Sequence, residues 1–454
     1  MATAIAEDRL LRRGKRNVPR YTSYPTAPHF TDAVDAAGYS EWLAQLDPDA
    51  AVSLYLHLPF CRRLCWYCGC HTQIVHRRAP VDVYLEALAR ELTTVAALAP
   101  RSVRVTHVHW GGGTPTLLGP TQITWLAGIV RRHFAISPQV EFAVEADPRG
   151  FDASRAGALA EAGVTRVSLG VQDLNPRVQQ AINRVQGLEE TAAAIAMLRR
   201  NGIAEINIDL MFGLPHQTVD DLLASIEAVL GLAPDRIALF GYAHVPWLKK
   251  HQRRIDEAVL PGPAARIAAL RAGARRLTRA GYVAIGLDHF ARPEDSLALA
   301  LAQGRLKRNF QGYTVDGAAA LLGFGASAIG RLPQGYVQNL VAIPSYLRAV
   351  SNTGLAVQRG LATSADDRLR GEVIERLMCD LHVDLAAVGA RYGRDATAFA
   401  PELAVLGDYE AEGLVRIDNA NIRVADAARP VLRSIAAVFD RYLGRAPARH
   451  TAAV

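Results

Sequence analysis

Cysteine is scarce in this chain and almost absent outside one short stretch. Of five cysteines in 454 residues, four lie between positions 61 and 70 and the fifth is Cys379. That distribution excludes a disulfide framework spread over the fold. Long apolar runs are missing as well. No uncharged run reaches the roughly 18 residues of a membrane span, and the longest candidate, 317–330, is short and glycine-rich. The opening MATAIAEDRLLRRGKRN has no apolar segment ahead of a small-residue cleavage site, so it does not read as a secretory signal. These absences point to a cytoplasmic protein with reduced thiols, in which clustered cysteines mean metal or redox chemistry. Acidic residues are in the minority, 44 against 51 Lys and Arg, for a net charge of +7. The surplus suits an anionic partner, either nucleic acid or a polycarboxylate, and equally a solvated arginine-rich surface.

With 50% hydrophobic and 21% charged residues, the composition is that of a globular protein, long enough for one large barrel or for two to three domains. Strand-like runs occupy 53–58, 103–110, 140–145, 165–172, 205–212 and 236–243. Amphipathic stretches lie between them. In VDVYLEALARELTTVAAL, for example, Val81, Leu85, Leu88, Leu92 and Val95 share one helical face. Gly163 and Gly202 sit just past such stretches and just before strands, where a left-handed cap residue is wanted. Six strand-then-helix units in succession predict an α/β fold, a partial parallel barrel of (β/α)6 type. Function in such folds gathers at the C-terminal ends of the strands. There the sequence puts the first cysteines, the glycines at 111–113, Glu145, Gln172 and Asp209.

After about residue 366 the pattern changes to DDRLRGEVIERLMCDL, then two short strand-like runs around Asn419 and Asn421, then the helix-like ARPVLRSIAAVFDRYL. Helices with a small hairpin resemble a winged helix. The stretch that would read DNA, DLAAVGARYGRD, lacks clustered Lys and Arg, so a structural cap is expected and no nucleic acid partner. Expected boundaries are an N-terminal segment at 1–50, the barrel and its extension at 51–365, and a small, mostly helical C-terminal cap at 366–454. Cys379, alone on a helical pattern, reads as a core thiol.

HLPFCRRLCWYCGC, residues 57–70, carries the chemistry. Zinc sites favour paired C-x2-C knuckles, and no second pair follows. A C-x3-C-x2-C loop instead offers three thiolates to one inorganic body. Three cysteines on a 4Fe-4S cube leave one iron open, as catalysis requires.

The motif with its flanking Pro59 and Phe60, followed by WGGGTP at 110–115, resembles the radical S-adenosylmethionine (radical SAM) enzymes. PRYTSYPTAPHF, the fourth cysteine, GVQDLN, NIDLMFGLP, YAHVP, DHFARP and NFQGYT are similar to the oxygen-independent coproporphyrinogen III oxidase family within them, from about residue 19 onward. Small departures are Trp66 and Gly241. The resemblance implies a radical SAM barrel carrying one 4Fe-4S cluster and S-adenosylmethionine, with two such molecules conceivable. It implies reductive cleavage to a 5'-deoxyadenosyl radical, and oxidative decarboxylation of two propionates of coproporphyrinogen III to vinyl groups without oxygen, giving protoporphyrinogen IX. Haem biosynthesis, a reduced flavodoxin or ferredoxin as electron donor, and a monomer are further implications. Residue by residue, it makes Cys61, Cys65 and Cys68 the cluster ligands. Cys70 and Tyr55 become catalytic residues, with Tyr55 and Tyr67 flanking the cluster loop. Gly112, Gly113, Thr114, Glu145, Gln172, Arg184, Asp209, Ala243 and Ile329 become the S-adenosylmethionine site. Arg20 and Arg292 are the first candidates for propionate contacts. Two other readings share the cluster motif. Haem chaperones related to this family lack the fourth cysteine and carry His-Asn-x-x-Tyr-Trp, where this chain has Arg308 and no Trp. A radical methyltransferase would differ only in its substrate pocket.

Overall fold

Each of the six strand-like runs forms a strand in the computed structural model, which describes residues 7–444 and 450–453. They are β1 (Ala51–Leu58), β2 (Arg104–Gly112), β3 (Ala135–Ala146), β4 (Arg166–Gln172), β5 (Glu205–Phe212) and β6 (Arg236–Gly241), paired in that order and all parallel. Beyond β6 the sheet continues antiparallel through β8 (His289–Ala291) to β7 (Val283–Ile285). On the other edge the sequence pattern missed a seventh parallel strand. β9 (Ala320–Phe324) lies beside β1, with Leu54 opposite Leu322. Antiparallel β10 (Ile329–Leu332), β11 (Gly335–Asn339) and β12 (Val357–Ala362) follow it. The glycine-rich run at 317–330 therefore contains β9 and the start of β10, and β9 is buried along its whole length; continuous rather than alternating hydrophobicity is what a strand covered on both faces requires.

The helices cover this sheet for the reasons legible in their spacing. α1 (Ala79–Leu98) buries Val81, Leu85, Leu88, Leu92 and Val95 together with Tyr84 and Glu91. Gly163 and Gly202 hold φ of 75° and 85°, the left-handed cap that lets the chain leave a helix for the next strand. Side chains such as Leu54, Leu56, Val105, Trp110, Val167, Ile208 and Leu239, all at most 1% exposed, make one core under the sheet. Each fully buried Leu there stabilises the fold by about 2 kcal/mol.

A second apolar cluster gathers the C-terminal region. α3 (Ala365–Asp380), which follows α2 (Pro263–Arg279) in the chain, contributes Leu369, Val373 and Leu377. α4 (Leu385–Arg391) and a three-stranded sheet of β13 (His382–Asp384), β14 (Val415–Asp418) and β15 (Asn421–Val424) complete the wing-like shape. Leu10, Val18, Tyr21 and Tyr24 from the N-terminal segment belong to this same cluster. The stretch expected to be one helix after residue 427 is instead three short pieces with α-helical geometry only over Leu432–Ala436. Pro430, inside the first piece, lacks the N–H that a continuous helix needs. No helix among the described residues is long and apolar enough to cross a membrane.

Glu91 is an ionisable group inside the main core. It accepts from Gly325 N–H (2.8 Å), the Tyr346 hydroxyl (2.8 Å) and Asn339 Nδ2 (2.6 Å). Burial nevertheless pushes its carboxyl up to about 7. The folded state thus keeps the proton after the unfolded chain has lost it. Stability from this group falls as pH rises from the ordinary carboxylate range to about 7, by on the order of 3 kcal/mol. Glu91→Gln should flatten that fall: its thermal midpoint should change less between pH 5 and pH 8 than that of the unaltered chain, and parallel curves would disprove the assignment.

Candidate active site

β1 ends at Leu58, and the chain turns at once into the cysteine loop. Phe60–Cys61 pairs in parallel with Gln73–Ile74, closing the loop at its base. The interior is held by its carbonyl oxygens. Asn183 donates to Leu64 O (2.8 Å), Gln252 Nε2 to Tyr67 O (2.9 Å), His251 Nε2 to Cys68 O (2.8 Å) and Lys249 Nζ to Cys70 O (2.8 Å). Gln252 Nε2 also reaches Ala243 O at 3.3 Å, tying the end of β6 to the loop.

Cationic and hydroxyl donors surround the thiols. Arg184 Nη1 lies 3.5 Å and Arg149 Nη2 3.7 Å from Cys65 Sγ, and Thr114 Oγ1 lies 3.4 Å from Cys61 Sγ. Burial pushes the Cys61 thiol up to about 11. A hydrogen bond with Cys70 brings Cys68 down to about 7 and pushes Cys70 well up. A single metal ion needs its thiolates about 2.3 Å from one point, and no three metal-binding side chains converge in that way among the described residues. Three thiols spread along one loop, with arginine and hydroxyl donors to their sulfurs, fit a larger, anionic iron–sulfur body.

β2 meets this loop through glycines that admit no side chain. A Cβ on Gly113 would stand 2.6 Å from Phe60 O, 2.7 Å from Phe60 N and 2.8 Å from Leu58 O. Gly112, at φ 108°, would collide with the His57 ring at 2.5 Å. The N–H groups of Gly113 and Thr114 bond Leu58 O (2.9 Å) and Phe60 O (2.8 Å), so they dock β2 to the cysteine loop. Close approach here is of one backbone to another.

Glu145, at the end of β3, accepts from Gly112 N–H (3.0 Å) and pairs with His109 Nε2 (3.2 Å). Burial alone would raise its carboxyl; His109 and the amide outweigh that and hold it below the ordinary range. Asp209 is bonded by Ser168 (3.1 Å) and Asn207 (2.8 Å), while burial and then Glu145 push it up to about 6. Both line a cavity of about 180 Å³ inside the sheet, with His107, His109 and His289. Gln172 closes β4 at φ 73° beside the Arg184 guanidinium. Arg184 pairs with Asp147 (3.3 Å) and donates to Gly170 O, leaving its buried Nε without a partner. Tyr55 points to His57 Nδ1 at 3.0 Å, and His57, which also bonds His71 O, is pushed down to about 4 by burial. Tyr67 is close enough to feel the Arg184 charge. Ile329 opens β10 behind Gly323, at the same end of the sheet on the far side of β1. Arg184 thus meets the cysteine loop and Gln172, Glu145 and Asp209 share one cavity, and Ala243 is tied to the loop through Gln252, while Ile329 shares only that end of the sheet.

The two arginines part company. Arg20 donates to Gly241 O (3.1 Å), at the C-terminal end of β6. Arg292 follows β8, whose Ala291 faces Arg236 at the start of β6, and its Nε is bound to Pro234 O (3.0 Å). It thus sits at the opposite end of the strands from the cysteines, because β8 runs antiparallel to them. His57, His109, Asp147, Arg149, Lys249, His251 and Gln252 belong to the site and were missed. EADPRG directly after β3 was the one readable signal; KKHQ lay outside any strand end.

Comparison with known proteins bears on all of this. A radical SAM superfamily model matches residues 55–229, and a HemN C-terminal domain model matches 363–431. The chain is 49% identical to an oxygen-independent coproporphyrinogen III oxidase of Bradyrhizobium diazoefficiens, over 97% of this chain and 98% of the relative. It is 39% identical to the Escherichia coli protein of that name, over 94% and 93% of the two chains. The solved Escherichia coli coproporphyrinogen III oxidase HemN, described as a radical SAM enzyme, superposes with a TM-score of 0.90 at 37% identity, covering 94% of this chain and 100% of that one.

Proposed function

Because the chain belongs to the oxygen-independent coproporphyrinogen III oxidase family of radical SAM enzymes, we propose how its own residues carry out that family's reaction. The enzyme decarboxylates two propionates of coproporphyrinogen III oxidatively to vinyl groups, in porphyrin and haem biosynthesis, with a 4Fe-4S cluster and S-adenosylmethionine as cofactors. When bound, the cluster supplies the electron that splits S-adenosylmethionine into the radical that takes a propionate hydrogen. Cys61, Cys65 and Cys68 hold the cluster, and Arg184, Arg149 and Thr114 stabilise the thiolate charge. Cys70 stands outside the ligand set, at the exposed end of the loop where it meets substrate. Glu145 receives the ammonium of S-adenosylmethionine: it is ionised, fixed by His109, and faces the cavity. Asp209 and Gln172 take hydroxyls, while Ala243 and Ile329 pack near adenine. A second S-adenosylmethionine would suit two successive decarboxylations. Residues 1–50 complete the substrate side through Arg20, the expected donor is a reduced flavodoxin or ferredoxin, and the enzyme acts as a monomer in the cytoplasm.

The observation that carries this reading is the convergence of the cysteine loop with Arg184, Glu145 and Asp209 at one end of seven parallel strands. Anaerobically reconstituted protein given reductant, S-adenosylmethionine and coproporphyrinogen III should yield vinyl-bearing product and 5'-deoxyadenosine. An electron paramagnetic resonance signal of the reduced cluster unmoved by S-adenosylmethionine, with no product, would overturn it.

A further inference from the structure

Beside the end of β6 lies a cleft of about 270 Å³ lined by Arg20, Arg266, Arg308, Arg433 and a single carboxylate, Asp288, and also by Ala243, whose carbonyl Gln252 ties to the cysteine loop. Four guanidinium groups around one carboxylate leave a surplus of positive charge that the protein does not neutralise. None of the four forms an ion pair among the described residues; each is held by carbonyl oxygens or rings. Arg20 donates to Gly241 O (3.1 Å) and Arg266 to Tyr242 O (2.7 Å). Arg433 bonds Ala452 O (2.8 Å) and Ala453 O (2.6 Å). Arg308 lies over the Tyr313 ring at 4.4 Å. Nε and Nη1 of Arg308 and Nε of Arg433 are buried with no hydrogen-bond partner. Asp288 is already shared with His289 at 2.8 Å. Burial, then the neighbouring Arg20, push Arg266 down to about 10 and Arg433 down to about 9, whereas Tyr313 and Asp288 outweigh burial and hold Arg308 up. Such a set is costly unless an anion completes it. The other wall is apolar, with Phe212, Trp247, Leu270 and Leu287. Carboxylates on an apolar body match both walls.

Resting on the function given above, we propose that this arginine cleft binds the propionates that survive the reaction, and so sets how the tetrapyrrole lies against the radical site. A propionate that reacts gives up a hydrogen atom to the radical, then loses its carboxylate as neutral carbon dioxide and one electron to an acceptor, leaving the vinyl group. Gripping it with several guanidinium groups would stabilise the substrate and not the transition state, and would slow the reaction. The propionates that remain suffer no such penalty. Product, which retains them, binds through the same arginines.

The test uses coproporphyrin III, protoporphyrin IX and coproporphyrin III tetramethyl ester, titrated by fluorescence into the reconstituted enzyme and its Arg20→Gln and Arg308→Gln variants. Arg348→Gln, an exposed change on the helix Ile343–Thr353, is the control. Each cleft variant should lose about tenfold or more in affinity for both free acids, with the ester, S-adenosylmethionine binding and iron content unchanged. Unchanged affinity for both acids would overturn the cleft while leaving the reaction standing. Loss for coproporphyrin alone would show that the reacting propionates sit there, and overturn the assignment. Equal loss for the ester would mean a collapsed pocket, and loss of S-adenosylmethionine binding alone would mean that its carboxylate is the occupant; either overturns the proposal. Failure of the unaltered enzyme to turn over coproporphyrinogen III would instead strike at the function itself.

Discussion

Cys65→Ser should lose nearly all of its iron after anaerobic reconstitution, from about four per chain to background, and all product formation with it. Cys65 is the most enclosed of the loop cysteines and receives both arginine contacts, so its sulfur is where thiolate charge is best stabilised. A serine hydroxyl ionises far less readily and is a poor soft-metal ligand. Cys70→Ser should behave differently. Were Cys70 the fourth ligand, every iron would be thiolate-bound and S-adenosylmethionine would have no place to coordinate. Its exposed position and its hydrogen bond to Cys68 suit a thiol beside the ligand set. The variant should keep iron, sulfide and S-adenosylmethionine binding while losing product. Iron analysis of the two variants decides the matter: a Cys70→Ser protein unable to hold iron would overturn the three-plus-one arrangement.

The second large effect is expected at a residue with no functional group. Gly113→Ala places a methyl against Phe60 O, Phe60 N and Leu58 O, all under 3 Å and all backbone, so no side chain can swing aside. Relief requires β1 and β2 to part at their C-terminal ends, breaking the Gly113 and Thr114 amide bonds and moving Cys61 with Phe60. Overpacking of this kind costs about 1–3 kcal/mol of stability, and a displacement near 1 Å in a catalytic array costs on the order of 10²-fold in rate. We expect a lowered thermal midpoint, partial iron loss and at least that fall in turnover. Gly128→Ala, with open space around its Cβ on a helix, should be nearly silent. Equal activity in the two variants would refute the close-approach argument.

Periodicity located the six strands because each alternates with an amphipathic helix, and strand ends then gave Glu145, Gln172 and Asp209 without a structure. β9 was invisible for a physical reason: both its faces are covered, so the alternation that marks a half-buried strand is absent. Resemblance, not spacing, supplied Arg184 and Ala243, which lie in irregular segments, and Ile329, which opens an antiparallel strand that the sequence pattern missed. The misplacement of Arg292 has a topological cause. It follows a strand, as active-site residues do, but that strand runs antiparallel, and nothing local in DHFARP encodes direction. Arg266, Arg308 and Arg433 were unreadable as a group, because α2, the hairpin after residue 306 and the C-terminal helix meet only when the second core closes on the first.

Lys249, His251 and Gln252 grip the cysteine loop solely by the oxygens of Cys70, Cys68 and Tyr67. A clasp on carbonyls is blind to whatever side chains the clasped residues bear. The path of the loop is therefore written in a segment nearly two hundred positions away, and the residues that carry the chemistry are free to change without altering it. Exchanges at 66–70 consequently interrogate sulfur chemistry against a constant backbone, whereas losing Gln252 would unsettle the loop while every thiol stayed in the sequence.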